Sequence, residues 1–292
     1  MERIRLTEEA ASAIERRPNG SIRLTSAKGT SHAVETTLLV LVAVTVITFL
    51  RMDYGTVDLG QATSQALSDF WAMVGQPALD PPLGAGHFTW ETVLQSAFLT
   101  VVITIITTMV SAVAAFFLGI AAAENLSNKV VSNVVKAFVA VIRAIPTILW
   151  VLVFTVSIGL GSTAAVLGIS LHSVAYLTKS YSESFEEIDE GVIEALRASG
   201  ASFWQVVFQA IVPSTITKLL SWTFIRLEIN FANAVAVGAF AGAGGIGFQL
   251  FQAGSRYYNL HEVGVIVYVC LVVAFVLEAI SVRLRRRYIV NE

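Results

Sequence analysis

The amino-acid sequence predicts an all-α polytopic membrane protein with six transmembrane helices, and three observations support this fold class. Hydrophobic residues make up 55% of the 292 residues and charged residues only 14%, whereas soluble domains carry about 25% charged residues. The apolar residues are concentrated in long blocks, separated by more polar segments. Lysine and arginine are enriched in every second connecting segment, as the positive-inside rule requires of a membrane protein. A soluble chain of this composition could not cover its apolar core with polar surface.

Charge and cysteine content exclude several functional classes. The net charge of -2 provides no basic excess that would indicate a nucleic-acid partner. The single cysteine, Cys270, rules out an internal disulfide framework and a cysteine-clustered metal site. The four histidines, at positions 32, 87, 172 and 261, lack the spacing of metal ligands. We therefore expect neither a metal nor a cofactor in this chain.

Six apolar blocks are predicted to span the bilayer after a polar N-terminal tail, residues 1–32. The first block begins too late for a secretory signal and lacks a cleavage site, so it is expected to remain as a transmembrane helix. Proline lacks a backbone N–H group, so Pro146 is expected to break or kink the third span. In the predicted transmembrane domain, residues 33–292, the spans are 33–52, 92–123, 130–159, 162–177, 214–250 and 263–282.

The basic residues predict the orientation of these spans. The N-terminal tail carries six lysine and arginine residues, and basic residues also follow the second, fourth and sixth spans. Residues 53–91 contain no lysine or arginine, and the segments after the third and fifth spans contain only Arg256. Six spans with both termini in the cytoplasm therefore satisfy every connecting segment.

The segment between the fourth and fifth spans, residues 182–213, carries the most informative pattern. Its apolar spacing before Gly200 is typical of a short amphipathic helix. Gly200 can adopt the left-handed conformation that ends a helix, and a second short helix, residues 202–211, is expected to end before Pro213. Charge alone favours a solvated acidic loop, whereas a cytoplasmic helix–turn–helix would offer a protrusion that another protein could grip.

The order of residues in this segment resembles the EAA loop of ATP-binding-cassette importer permeases. The matching residues are Glu194-Ala195-Leu196, then Gly200, and finally Ile211-Val212-Pro213, with Leu196 and Val212 as mild apolar departures. In that family the loop forms coupling helices that dock in a cleft of a cytoplasmic ATPase subunit. The resemblance assigns this coupling role to Glu194, Ala195, Leu196, Ala198, Gly200, Ala201 and Pro213.

Further motifs resemble the permeases of phosphonate importers, and methionine and choline-type permeases share parts of them. The motifs are WET at 90–92, RAIPT at 143–147, EIN at 228–230 and GAGGIG at 242–247. Many phosphonate permeases have a basic residue after the Glu-x-Asn element, where this chain has Phe231-Ala232.

The resemblance implies a type I importer permease-like fold in the inner (plasma) membrane. It also implies a homodimer that assembles with two ATPase subunits and one extracytoplasmic substrate-binding protein and works by alternating access. The chain contains no P-loop of the form G-x-x-x-x-G-K-[ST], so ATP is expected to be bound and hydrolysed by the partner subunits.

The glycine cluster that begins at Gly242 also fits the dinucleotide-binding pattern G-x-G-x-x-G, but it lacks the strand–helix context that this function needs. Two compatible roles remain open. Small residues allow helices to pack closely, and an unwound stretch could form a gate near the outer end of the fifth span. The residues assigned to gating or packing are Pro146, Gly238, Gly242, Gly244, Gly245 and Gly247.

Two charged residues, Arg226 and Glu228, lie inside an apolar segment. They are about 200° apart around a helix, so they are not expected to pair with each other. Either Arg226 extends to the inner interface while Glu228 pairs with a neighbour, or the two line a transport pathway. The candidate pathway residues are Arg143, Arg226, Glu228, Asn230 and Asn233.

We therefore predict the permease subunit of an ATP-driven importer that moves phosphonate or a related small phosphorus oxyanion. Methionine and a quaternary amine remain alternative cargoes. A secondary transporter should show inverted repeats with broken helices in matching positions, and the sequence contains no convincing repeat. A membrane enzyme should show a polar catalytic cluster, which the sequence also lacks.

Overall fold

The computed structural model describes residues 14–16, 22–24, 28–52, 58–79 and 87–289. Most of the predicted N-terminal tail, residues 1–32, therefore lies outside the described residues. The chain divides into two compact units, residues 1–64 and 65–292. In the first unit, strands β1 (Ile14–Arg16) and β2 (Ile22–Leu24) pair antiparallel, and they are a small departure from the predicted all-α class.

Helices account for most of the described chain, which confirms the all-α class. In chain order they are α1 (Lys28–Arg51), α2 (Leu59–Gly75), α3 (Trp90–Ala122), α4 (Lys129–Ala144), α5 (Thr147–Ile158), α6 (Ser162–Glu186), α7 (Glu190–Ala198), α8 (Phe203–Val206), α9 (Val212–Phe240), α10 (Gly245–Phe251) and α11 (Leu260–Ile289). Two π-helical turns, Val207–Ile211 and Gln252–Arg256, follow α8 and α10.

Three of the described helices are individually long and apolar enough to cross a membrane, at His32–Arg51, Trp90–Ala122 and Leu260–Arg286. The pair α4 and α5 meets the same criteria together and is bent by 88° between residues 144 and 147. The predicted break at Pro146 is therefore confirmed. The count of six spans stays a prediction, because α6 and α9 are long but more polar.

The second span shows the polarity expected of a helix that faces lipid. Large apolar side chains such as Leu94, Phe98 and Met109 are exposed, while hydroxyl side chains are buried. The buried hydroxyls of Thr104 and Thr108 donate to the carbonyls four residues earlier, at 2.8 and 2.7 Å. These bonds satisfy polar groups that lack water, so the polar face of α3 can pack against α6 and α9.

One predicted helix end in the second half of the chain is wrong, and one helix continues beyond its predicted span. Helix α6 extends past residue 177, the predicted end of the fourth span, to Glu186, and its polar residues Ser180, Ser182 and Ser184 are all buried. The end of the fourth span in the membrane stays a prediction. Pro213 was expected to end a helix, yet the chain stays helical from residue 203 to residue 240. Pro213 lies in the first turn of α9, directly after the π turn, where its missing N–H is easily accommodated.

The predicted fifth span, 214–250, is not one helix. It breaks after Phe240 and resumes as α10, with left-handed φ angles of 57° at Gly242, 72° at Gly244 and 73° at Gly245. A side chain at Gly247 would collide with the carbonyl oxygen of Val235, so α10 folds back along α9. Both predicted roles of the glycines, an unwound stretch and close helix packing, therefore coincide in one reversal of the chain.

The structure also contains a helix that the sequence did not predict. Residues 59–75 form α2 within the segment that was expected to be a loop. The end of α2 and the residues after it contact the first turns of α11. The Tyr268 hydroxyl donates to the Val74 carbonyl at 2.7 Å, and the Ala78 N–H donates to the His261 carbonyl at 3.2 Å.

Candidate coupling segment and buried polar site

The segment predicted to couple to an ATPase is a helix–turn–helix, as its sequence indicates. Helix α7 ends in a Schellman motif: the Gly200 N–H donates to the Arg197 carbonyl at 3.0 Å, and the Ala201 N–H donates to the Leu196 carbonyl at 3.1 Å. Gly200 has a φ of 87°, and a Cβ atom there would meet no atom of the described residues within 4 Å. The requirement for glycine is therefore one of backbone conformation and not of space.

The two faces of this segment differ sharply. Ile193 is 2% exposed and packs with Leu196 into a core formed by the ends of α3 and α6, α8 and the start of α9. Glu194, Ala195 and Ala198 are exposed on the other face. Beyond the turn, the apolar side chains Phe203, Trp204 and Phe208 are also 42–56% exposed. The segment therefore presents small and aromatic residues outward from a firmly packed base.

Ion pairs hold the end of α6, from which the coupling segment begins. The Lys136 ammonium of α4 lies 2.7 Å from the Glu124 carboxylate and 3.0 Å from the Glu186 carboxylate. Lys218 of α9 pairs with Glu187. The hydrogen bond from Lys136 and its positive charge lower the pKa of the Glu124 carboxyl below its usual value of 4.5. Neighbouring glutamates at the end of α6 are thus tied to two different helices.

The predicted pathway residue Arg226 lies in the interior of the bundle. It is 2% exposed, so it does not extend to the membrane interface. Its Nε donates to the Ser173 hydroxyl of α6 at 2.9 Å. The Ser173 hydroxyl lies 2.7 Å from the Asn230 Oδ1 atom, and the Asn230 amide donates to Thr108 of α3 at 3.0 Å. One polar network therefore joins α3, α6 and α9 inside an otherwise apolar bundle.

The charge of Arg226 is not neutralised within the described residues. None of the ion pairs formed there includes it, and its Nη2 atom is buried without a hydrogen-bond partner. Its guanidinium carbon lies 5.0 Å from the centroid of the Tyr176 ring, which provides a cation–π contact. A buried cation without a counter-ion is costly, so this arrangement favours the entry of an anion.

A second predicted residue, Arg143, approaches the same aromatic ring. It lies in the last turn of α4, next to the break at Pro146, and its guanidinium carbon is 6.0 Å from the Tyr176 centroid. Unlike Arg226, Arg143 is exposed. It also lines a cavity of about 330 Å³ between α4 and α6, together with Lys136, Lys179, Glu183 and Glu186.

Of the remaining candidate pathway residues, one belongs to the buried network and two do not. Asn230 belongs to the network, as described. Glu228 points elsewhere, with its Oε1 atom 3.6 Å from the Arg285 Nη2 atom of α11, which agrees with the expectation that it would not pair with Arg226. Asn233 is half-buried and contributes no hydrogen bond to the network in the described structure. Of the predicted pathway residues, only Arg226 and Asn230 therefore belong to the buried hydrogen-bond network.

The break at Pro146 is bridged by a side chain. The Trp150 indole N–H of α5 donates to the Ile142 carbonyl of α4 at 3.1 Å. Near the other break, the Gly161 N–H donates to the Ala241 carbonyl at 2.8 Å, and the Ile246 N–H donates to the Thr100 hydroxyl at 2.9 Å. Both irregular stretches are therefore held in place by specific hydrogen bonds.

Sequence reasoning missed Ser173, Tyr176 and Thr108, which complete the surroundings of Arg226. A signal was present, because Thr100, Thr104, Thr108 and Ser111 recur at helical spacing within an apolar block. A polar stripe on an apolar helix marks the face that packs inside a membrane protein. In the described residues, no group of His, Cys, Asp and Glu side chains could hold a metal ion.

This fold, with its helix–turn–helix segment, defines a membrane permease. The chain belongs to the family described as "Binding-protein-dependent transport system inner membrane component", whose model matches residues 115–289. It is therefore a multi-pass inner-membrane permease of an ATP-binding-cassette importer.

Two relatives indicate the branch of the family to which the chain is similar. It is 30% identical over 208 residues to the phosphate-import permease protein PhnE of Mycolicibacterium smegmatis, covering 71% of this chain and 38% of that protein. It is also 30% identical over 209 residues to the phosphite transport system permease protein PtxC of Stutzerimonas stutzeri, covering 71% of this chain and 74% of that one. The match thus covers little more than a third of the mycobacterial relative.

A solved structure has the same fold. A chain of the MetNI methionine ABC transporter, solved in inward facing conformations, matches with a TM-score of 0.61 and 22% identity, covering 68% of this chain and 96% of that chain. At this identity the match supports the fold alone. It agrees with the type I importer permease-like architecture that the EAA-type segment predicts.

Proposed function

We propose that the chain is the permease subunit of an importer for a small phosphorus oxyanion, such as phosphonate, phosphite or phosphate. The observation that carries this assignment is the buried guanidinium of Arg226, which lacks a carboxylate partner among the described residues and retains a free N–H donor. A tetrahedral oxyanion would supply both the negative charge and the acceptors. The two 30%-identical relatives, named for phosphate and phosphite transport, support the same choice.

The chemistry of the network separates this cargo from the alternatives. A quaternary amine carries a positive charge and would be repelled by Arg226, which has no carboxylate within ion-pair distance among the described residues. Methionine is a zwitterion whose ammonium group would need an acceptor. The carboxylate of Glu228 faces Arg285 instead of the network, so it provides no such acceptor next to Arg226.

Energy for transport enters, in this proposal, through partner ATPase subunits that grip α7 and the turn at Gly200. The exposed Glu194, Ala195 and Ala198 are small or polar enough for close docking. The buried Ile193 and the ties of Lys136 and Lys218 transmit movement of the segment to α4, α6 and α9. Two copies of the chain, two ATPase subunits and one extracytoplasmic binding protein would form the complete importer and work by alternating access.

The test is uptake by the reconstituted complex of phosphonate, phosphite and phosphate, compared with methionine and a quaternary amine. We expect oxyanion uptake that falls at least tenfold in Arg226→Ala, because one charge-assisted hydrogen bond contributes about 1.5–3 kcal/mol. Ser221→Ala is the matched control, since the Ser221 hydroxyl on the same helix donates to the carbonyl of Thr217 and forms no other hydrogen bond with the described residues. Uptake of methionine or the amine, without uptake of any phosphorus oxyanion, would refute the cargo and leave the permease assignment intact.

A further inference from the structure

The cavity between α4 and α6 lies at the end of α6 that leads into the coupling segment. It is lined by three cationic side chains, Lys136, Arg143 and Lys179, and by the carboxylates of Glu183 and Glu186. Its volume of about 330 Å³ lies within the range of about 300–1,000 Å³ that is typical of small-molecule sites. The permease role alone assigns nothing to this cavity.

The lysines of the cavity are already engaged by carboxylates. Lys136 pairs with Glu124 and Glu186, and Lys179 lies 3.1 Å from Glu183, four residues along α6. Arg143 differs, because it belongs to none of the ion pairs of the described chain and its guanidinium meets the face of the Tyr176 ring at 6.0 Å. The cavity therefore has one uncompensated cation on its wall, with a planar set of N–H donors that suits an oxyanion.

Tyr176 connects this cavity to the buried network. Its ring has the guanidinium of Arg226 at 5.0 Å and that of Arg143 at 6.0 Å. Arg226 is almost fully buried, whereas Arg143 is exposed. A buried and an exposed arginine therefore approach the same aromatic ring.

We propose that Arg143 and the cavity between α4 and α6 form a second oxyanion site, which receives the cargo after Arg226 and releases it near the coupling segment. This inference rests on the proposed oxyanion transport. The site holds a small tetrahedral anion weakly, because Arg143 is solvated and Glu183 and Glu186 stand nearby. Weak binding suits an exit position, since the anion must leave it for cytoplasmic water.

The single cysteine of the chain makes this site accessible to a direct measurement. In a Cys270→Ser background, Ala140→Cys places a thiol on an exposed residue of the cavity wall. The complete complex in phosphatidylcholine nanodiscs is treated with a negatively charged sulfonate thiosulfonate reagent and, separately, with a positively charged trimethylammonium reagent. Asn133→Cys, at an exposed position of the same helix outside the cavity, is the matched control.

We expect the ratio of the two modification rates, anionic reagent over cationic reagent, to be about fivefold higher at Ala140→Cys than at Asn133→Cys. Inorganic phosphate should slow this modification, whereas chloride at equal ionic strength should not. Arg143→Gln should abolish both effects. Equal rates for the two reagents, or no effect of phosphate, would overturn the site.

Two further arms separate the possible explanations. The first arm repeats the measurement in phosphatidylglycerol nanodiscs without phosphate. If Ala140→Cys is protected there, and phosphate has no effect in phosphatidylcholine, the cavity binds a lipid headgroup and the exit role is overturned. If the native complex imports phosphite but phosphate does not slow the thiol modification, the exit site alone is refuted. Native complex that imports no phosphorus oxyanion would refute the proposed cargo, whatever the thiol rates are.

Discussion

The carboxylate of Glu262, at the start of α11, accepts a hydrogen bond from the backbone N–H of His87, just before α3, at 2.5 Å. The same oxygen accepts from the Phe88 N–H at 3.2 Å, and the other oxygen lies 3.2 Å from the His87 Nδ1 atom. Glu262 is fully buried, and the His87 ring stacks on Tyr257 at 3.8 Å. A buried carboxylate thus joins the beginning of α11 to the residues just before α3, although Glu262 and His87 are 175 residues apart in sequence.

The first prediction follows from the burial of this carboxylate. Glu262→Gln keeps the shape of the side chain but replaces one acceptor oxygen by an amide that only donates. We expect a loss of about 1–3 kcal/mol in the free energy of unfolding, the cost of a buried group left unsatisfied. Thermal unfolding of the solubilised chain measures it. Glu278→Gln, at an exposed position on the same helix, should leave the melting temperature unchanged, and an equal shift in both variants would contradict the assignment.

The second prediction concerns the left-handed turn at Gly200. Because a Cβ atom at this position would have no neighbour within 4 Å, substitution tests backbone conformation without crowding. Gly200→Val should cost about 1–2 kcal/mol locally and redirect α8, since β-branched residues avoid positive φ. The expected result is an inserted permease with lost ATPase association, or with ATP hydrolysis separated from uptake.

Gly200→Asn is the matched control, because asparagine tolerates the left-handed region better than valine. It should retain more ATPase association and more uptake than Gly200→Val. Co-purification of the ATPase subunit and uptake per ATP hydrolysed are the two measurements. Normal coupled transport by Gly200→Val would count against a coupling role for the segment.

The third prediction concerns the ties of Lys136. These pairs are partly exposed, so we expect them to contribute little to stability and to act instead on the position of the coupling segment. Lys136→Gln should increase the ATP hydrolysed per substrate imported, and Lys136→Arg should restore most of the coupling. Unchanged coupling in Lys136→Gln would show that the ion pairs of Lys136 have no role in coupling.

The pH dependence of this tie has a definite sign. Because Lys136 lowers the pKa of Glu124 below 4.5 in the folded protein, the pair stabilises the fold at pH values above 4.5. That contribution disappears as the pH falls through the lowered pKa. Neutral pH therefore leaves the tie intact, and Glu124→Gln should flatten the acid limb of the stability profile.

Local features of the fold were predictable from sequence, whereas long-range partners were not. The break at Pro146 and the turn at Gly200 follow from the backbone chemistry of single residues, and the structure confirms both. The surroundings of Arg226 depend on Ser173, 53 residues earlier in the sequence, and on Thr108 of α3. Spacing along one chain segment cannot reveal which helix will pack against it.

The reversal between α9 and α10 shows a second feature that hydropathy did not predict, the direction of the chain. Its glycines indicated both flexibility and close packing, yet hydropathy alone extended one span from residue 214 to residue 250. Only the close approach of Gly247 to Val235 shows that the chain turns back. Apolar composition identifies what can lie in a membrane or a core, but it does not determine the direction of the chain.

The last prediction tests the topology, which remains an inference from the distribution of basic residues. In a Cys270→Ser background, single cysteines replace the exposed Ser68 of α2, Ser199 of the coupling turn and Ser255 beyond α10. An impermeant thiol reagent applied to intact cells should modify Ser68→Cys and Ser255→Cys, because the segments that carry them are poor in lysine and arginine. Ser199→Cys should react only after the membrane is permeabilised, because the coupling segment must face the cytoplasm to reach an ATPase. Modification of Ser199→Cys from outside would show that the orientation is the reverse of the predicted one, and it would contradict the coupling role. Protection of Ser255→Cys alone would contradict only the predicted number of crossings in the second half of the chain.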